Sequence, residues 1–225
     1  MIQSVAETGI LLAIQRYRTK QARGATRAER KLETHERLLI AGEKIVGREG
    51  YAGASVSKIA GHAGVAQGTF YNYFSARQDL FDVLLPHVGR RMLEYITDRL
   101  DDDLTGADRE SARFRAFCEY LVENSGFYRI LSEAEVHAPK AYRRHTDLLV
   151  DGFRKALERS VKRGEITEYS EAELEAVVFM FLGARAYVAM RYIRRGKKKT
   201  SSADCENAIA AYTRLVADGL FSKAL

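Results

Sequence analysis

The chain has 225 residues and 25.3 kDa, with 46% hydrophobic and 29% charged side chains and a formal net charge of +6. That balance excludes a disordered polyelectrolyte and supplies an ordinary packed core. No apolar run approaches the ~20 residues that cross a bilayer. The early segment Ile10–Ile14 is too short, and lacks the preceding basic stretch, to be a secretory signal. A cytoplasmic protein without membrane contact is expected. Two cysteines, Cys118 and Cys205, make neither a disulfide framework nor a zinc site.

The positive charge is unevenly spread. Residues 1–90 carry 13 basic against 8 acidic side chains, and Arg16 to Lys31 hold seven basic residues against the single acid Glu29. Residues 1–26 therefore read as a basic N-terminal extension facing a polyanion; a solvated tail with no partner would show the same charge. Within it, Ile10, Leu11, Ile14 and Tyr17 could add a short helix.

Helical periodicity dominates from there on, and no alternating strand pattern emerges. A first helix is expected over about Arg27–Glu49, with Leu38, Ala41, Ile45 and Val46 on one face and Gly50 closing it. Ser55 is a good N-cap for a short helix carrying Val56, Ile59, Ala60 and Ala63. Gly64 ends that helix, and another short one follows over about Gln67–Tyr73. Ala76 opens a longer helix through Leu80, Phe81, Leu84 and Leu85, in which Pro86 predicts a kink or an earlier end.

The acidic run Asp101-Asp102-Asp103 with Thr105 and Gly106 reads as a linker. Apolar helical segments follow around Phe114–Leu121, around Phe127–Leu131, and from Tyr142 to a stop at Gly164. Two more run over Ala172 to about Arg195 and over Ala203–Phe221, separated by the basic loop Gly196–Thr200. The fold class expected is all-α, as a helix-turn-helix unit at 27–75 and a larger helical domain at 76–225.

Chemistry concentrates between Ser55 and Tyr73, in the order helix, glycine turn, helix. Ala60, Ala63 and Gly64 are the small residues a helix-turn-helix needs where its helices cross. The second helix then presents Gln67, Thr69, Tyr71, Asn72 and Tyr73, short or planar groups able to reach base edges and phosphate oxygens. Its N-terminal N–H groups suit a phosphate. A merely structural hairpin is the alternative, although it would more often show Lys and Glu there.

The motif G-Y-x-x-x-S-V-x-x-I-A from Gly50 to Ala60, continued by A-G-V-x-x-G-T-F-Y-x-Y-F from Ala63 to Phe74 and by Leu80, resembles the TetR family of one-component transcriptional regulators. The resemblance covers about a fifth of the chain. It implies a homodimeric, all-helical repressor: a three-helix DNA-binding domain followed by a divergent domain for effector binding and dimerisation. The partners it implies are a palindromic double-stranded DNA operator and a small-molecule effector, with no cofactor and no metal. On this resemblance Gln67 falls where bases are often read, and Thr69, Tyr71 and Tyr73 fall at frequent phosphate or base contacts. Arg77 replaces a customary lysine and can serve a phosphate equally well. Ser55, Ser57, Lys58, Gly68 and Asn72 complete the candidate DNA-binding set. Gly42, Val46 and Gly61 depart from the family's usual Ala, Phe and charged residue, which is expected to loosen the first two helices.

The final two helices, with Leu174, Val177, Val178, Phe181 and Val188 and then Ile209, Tyr212, Leu215 and Val216, look like the family's dimer-forming pair; ordinary core is the alternative. The aromatic residues Phe114, Phe117, Phe127, Tyr128, Tyr142, Phe153, Phe179 and Tyr187 are candidates to line an apolar effector cavity. Arg185 interrupts the apolar stripe of its helix and needs a partner. That partner is an acidic effector, an internal acid such as Glu133 or Glu135, or solvent at a dimer rim. Activation instead of repression, or redox sensing through Cys118 or Cys205, are the alternatives within the same class. No phosphate loop, nucleophile elbow, paired-carboxylate motif or metal-ligand spacing among the five histidines supports an enzyme.

Overall fold

The computed structural model describes residues 26–166, 169–193 and 202–219. The basic extension up to residue 25, the loop Gly196–Thr200 and Phe221 lie outside the described residues. Among those described there are nine α-helices, one π-helical turn and no strand. They are α1 (Arg27–Gly53), α2 (Val56–His62), α3 (Gln67–Tyr71), α4 (Arg77–Thr97) and α5 (Gly106–Glu123), then α6 (Phe127–His137), α7 (Pro139–Lys162) and α8 (Glu171–Val188). After a π turn over Ala189–Ile193 comes α9 (Ser202–Asp218).

Local chemistry sets most boundaries. Thr26 caps α1 reciprocally: its hydroxyl accepts from Glu29 N at 3.2 Å while Glu29 Oε2 accepts from Thr26 N at 2.7 Å. Thr26 is thus the capping residue of α1, which starts at Arg27. At Gly50 (φ 77°) the helical path of α1 breaks, and a last turn continues to Gly53. Ser55 caps α2 by accepting from Lys58 N at 3.3 Å. Helix α3 ends at Tyr71, two residues short of its expected limit. Pro86 lies inside α4, which neither ends nor is divided there, whereas Pro139 opens α7, where its missing N–H costs nothing.

Helices α1 to α3 enclose a core of Leu38, Ile45, Val46, Ile59 and Phe70, which α4 completes through Leu80 and Leu84. Gly42 tightens this unit instead of loosening it. A Cβ there would stand 2.9 Å from Leu80 Cδ2, so its absence admits the leucine between α1 and α4.

The three-helix unit is fastened to the rest of the chain where α1 meets α6. A Cβ on Gly47 would stand 2.9 Å from Gly126 Cα, so the two backbones touch. One turn further, Glu133 Oε2 accepts from Tyr51 N at 3.0 Å and occupies the space a side chain at Gly50 would need. Arg129 donates to the Arg48 carbonyl, the Tyr51 ring stacks on His137 at 5.8 Å, and Gln78 Nε2 donates to His137 O at 3.0 Å. Gly47→Ala is expected to lower stability by about 1–3 kcal/mol, as overpacking against a fixed backbone does. Because Gly126→Ala fills the same contact, urea denaturation of the double variant should show a loss smaller than the sum of the two.

Candidate nucleic-acid interface and ligand chamber

On the outer side of the α2–α3 hairpin, Ser57, Lys58, Gln67, Gly68, Tyr71 and Asn72 are exposed, and Ser55, Thr69 and Tyr73 are half-buried. Phe70 and Phe74 anchor the hairpin from within, with ring centroids 5.4 Å apart. No side chain caps α3 at Ala66, which leaves its first N–H groups without a side-chain partner. Neither Gly61 nor Gly68 has any atom within 4 Å of a built Cβ, so both face open space. Two of the basic candidates also have internal duties. Lys58 Nζ meets Glu49 Oε2 at 2.6 Å and donates to Gly53 O at 3.0 Å. Arg77 Nη1 donates to Ala54 O at 3.2 Å and its guanidinium lies 5.2 Å from the Phe81 ring centre. Both brace the turn that leads into α2.

A cavity of about 340 Å³ opens inside the second part of the chain. Its walls are Met92, Leu93 and Ile96 of α4, Phe117 and Leu121 of α5, Phe127, Tyr128 and Leu131 of α6, Leu149 and Phe153 of α7, and Leu182 of α8. Of the aromatic candidates, Phe117, Phe127, Tyr128 and Phe153 are on this wall. The others are not, and helical phase is the reason. Phe114 sits one turn before Phe117, wholly buried and stacked on Tyr212 at 3.9 Å, because α9 covers that face of α5. Tyr142 packs half-buried against the core. Helix α8 turns Val178, Arg185 and Ala189 of the following turn inward, so Phe179 (53% exposed) and Tyr187 (70% exposed) point outward.

Arg185 has its partner within the chain, and it is neither Glu133 nor Glu135. Its Nη2 meets Glu110 Oε1 at 2.7 Å and its Nη1 donates to Tyr212 OH at 3.1 Å. Tyr212 OH in turn donates to Glu110 Oε1 at 2.6 Å. The guanidinium also lies 4.7 Å from the Phe153 ring centre. Burial and Glu110 hold the Tyr212 hydroxyl far above its usual range, so it stays a donor. Glu133, by contrast, is committed to Tyr51. Removing one member of such a buried pair leaves an uncompensated charge.

Sequence reasoning missed the basic mouth of the cavity. A second space of about 250 Å³ is lined by Arg109 and Arg113 of α5 and by Arg159 and Arg163 around the end of α7. Arg109, Arg113, Ala156 and Arg159 line both spaces, so the apolar chamber opens into a basic vestibule. Arg163 is neutralised by Glu165 at 2.6 Å, and Arg109 Nη1 donates to the Asp101 and Leu104 carbonyls at 3.1 and 3.2 Å. Burial lowers the Arg113 pKa, and repulsion from Arg109, Arg159 and Arg185 adds to that against the pull of Glu110. The signal was present as two R-x-x-x-R pairs, each placing two arginines on one helical face.

Residues 38–84 match a sequence model of the bacterial regulatory proteins of the tetR family. The chain is a TetR-family transcriptional regulator. Over 189 residues this regulator is 25% identical to the HTH-type transcriptional regulator LuxR of Vibrio harveyi, across 80% of this chain and 87% of that relative. Identity reaches 35% over 72 residues with the uncharacterized HTH-type transcriptional regulator YvdT of Bacillus subtilis, across 32% of this chain and 35% of that protein. The solved structure of FadR from Bacillus subtilis in complex with stearoyl-CoA shares the fold, at a TM-score of 0.70 and 18% identity over 83% of this chain and 99% of that one. TetR-type regulators are not enzymes. No helix among the described residues is long and apolar enough to cross a membrane.

Both cysteines of this regulator are buried, and burial pushes the Cys118 thiol up to about 12. His145 lines the chamber with 1% exposure, and burial alone lowers its pKa from 6.5 to about 4. The unfolded chain therefore takes up a proton between pH 6.5 and 4 that the folded chain refuses. Stability from this residue is complete above pH 6.5 and is lost as pH falls toward 4, by about 3 kcal/mol in all. His145→Leu should flatten that part of the stability–pH curve, as followed by chemical denaturation at each pH.

Proposed function

We propose that this regulator binds a palindromic operator as a homodimer, represses from it, and is released by a small ligand with an apolar chain and an anionic head. The DNA-binding domain at 27–75 and the effector and dimerisation domain at 76–225 divide this work, in the cytoplasm. The observation that carries the reading is the apolar chamber opening into the arginine vestibule, joined through α6 to the helix-turn-helix unit.

On the DNA side, Gln67, Gly68, Tyr71 and Asn72 face base edges in the major groove, while Ser55, Ser57, Lys58, Thr69, Tyr73 and Arg77 serve the phosphates. Arg77→Ala should weaken binding to all sequences alike and reduce the slope of log K against log salt by about 1. Fluorescence anisotropy over a salt series measures this, and an unchanged slope removes Arg77 from the phosphate set.

The dimer is proposed through the last two helices, on a stripe that shares only Leu215 with the one that hydropathy alone suggests. Val178, Ile209 and Tyr212 are buried within the chain. Phe179, Met180, Tyr187 and Met190, with Leu215 of α9, are the large apolar residues left exposed on these elements. Such a stripe marks an association surface. Met180→Glu should give a monomer by light scattering and lose operator affinity, with the fold intact by circular dichroism.

On the ligand side, an acyl thioester of coenzyme A, the class bound in the FadR structure, fits both halves of the site: its chain suits the aromatic wall and its phosphates suit the arginines. Stearoyl-CoA should raise the melting temperature and release operator DNA. Charge removal at Arg109 and Arg159 together should weaken its binding by about tenfold or more. If stearoyl-CoA neither binds nor releases DNA, the acyl-thioester reading fails.

A further inference from the structure

The chamber holds one polar side chain that nothing described so far uses. His145 is 1% exposed, and neither Nδ1 nor Nε2 has a hydrogen-bond partner. No other residue of the chamber lining has a buried side-chain nitrogen or oxygen left in that state among the described residues. Arg185 is held by Glu110, and the Thr97 hydroxyl donates to Leu93 O at 2.8 Å.

The imidazole is deliberately seated. A Cβ on Gly89 of α4 would stand 2.3 Å from its Nδ1 and Cε1, so the absence of a side chain at 89 makes the niche for this ring. Phe127 packs edge-on against it at 6.3 Å. In so apolar a place the ring is neutral near pH 7. It therefore offers one N–H donor and one acceptor nitrogen. A leucine would fill the same wall with no polar group to satisfy, whereas each orphaned polar atom carries the cost of its lost hydration.

We propose that His145 reads an oxygen function within the ligand chain, so that the chamber prefers a hydroxyl- or carbonyl-bearing chain to the unsubstituted one. This rests on the reading of the chamber as the effector site. A hydroxyl can accept from the imidazole N–H or donate to the bare nitrogen, whichever of the two faces it; a carbonyl accepts only. Position follows from the helix that carries both ends of the site. His145 and Arg159 lie fourteen residues apart on α7, roughly 21 Å of axial rise. The recognised oxygen is consequently in the body of the ligand and not part of its anionic head.

The test is a calorimetric titration of the full-length protein with stearoyl-CoA and with isomers carrying one hydroxyl stepped along the chain. The wild type should bind one isomer about tenfold more tightly than stearoyl-CoA, the yield of one well-made buried hydrogen bond. His145→Leu should bring the ratio of isomer to stearoyl-CoA affinity to about one, and His145→Gln should retain part of the preference. With the preferred isomer bound, the imidazole 15N resonances of the wild type should shift, a readout that needs no variant to fold. Equal affinity of the wild type for every isomer and for stearoyl-CoA, or a preference that survives His145→Leu, overturns the role of His145 alone. If neither stearoyl-CoA nor any isomer binds, the chamber reading itself fails and this inference fails with it.

Discussion

Two backbones in direct contact, at Gly47 of α1 and Gly126 before α6, are the constraint on which the rest of the molecule depends. A backbone contact has no rotamers to absorb a displacement, so the helices on either side move together or separate. Glu133 adds a hydrogen bond to Tyr51 N, one turn beyond Gly47 and next to Gly50, where α1 leaves its helical path. The position of the α2–α3 hairpin is therefore referred to α6 and not only to its own small core.

Helix α6 serves two neighbours with two faces. Phe127, Tyr128 and Leu131 look into the chamber, while Arg129 and Glu133 hold α1. Whatever fills the chamber presses on an element that the DNA-binding unit is fastened to. A ligand can favour one arrangement only by its difference in affinity for the two. The Arg185–Glu110–Tyr212 cluster fixes the opposite wall, tying α8 and α9 to α5 through buried hydrogen bonds. One side of the chamber is thus pinned by buried charge, and the other is the side linked to the helix-turn-helix.

The parts legible in the sequence are those built from near neighbours. Ser55, the Gly64 turn and the inward residues Ile59, Ala60 and Phe70 sit within one short stretch, and their spacing alone specifies the hairpin. The T-x-x-E cap at Thr26 was equally local and was overlooked. Glycine or a capping residue marks most helix boundaries locally, whereas Pro86 leaves a kink or an end open, and α4 runs on through it to Thr97.

The chamber was legible only as a list of aromatic residues, of which half proved to line it. Phe114 and Phe117 have the same character and differ by one turn; α9, far away in the chain, decides which of them is core. Arg185 could be recognised as needing a partner, but Glu110 lies 75 residues distant and no spacing rule connects them. The four arginines of the vestibule fall on two helices that face each other across the opening. By itself, then, the sequence determined the class of fold, the DNA-reading hairpin and the need to satisfy one buried charge, because periodicity, capping and turn chemistry act over a few residues. Only the tertiary structure decided which rings face the chamber, where its basic mouth lies and which apolar stripe is left uncovered. Those depend on the relative rotation of packed helices, which contacts between distant segments set.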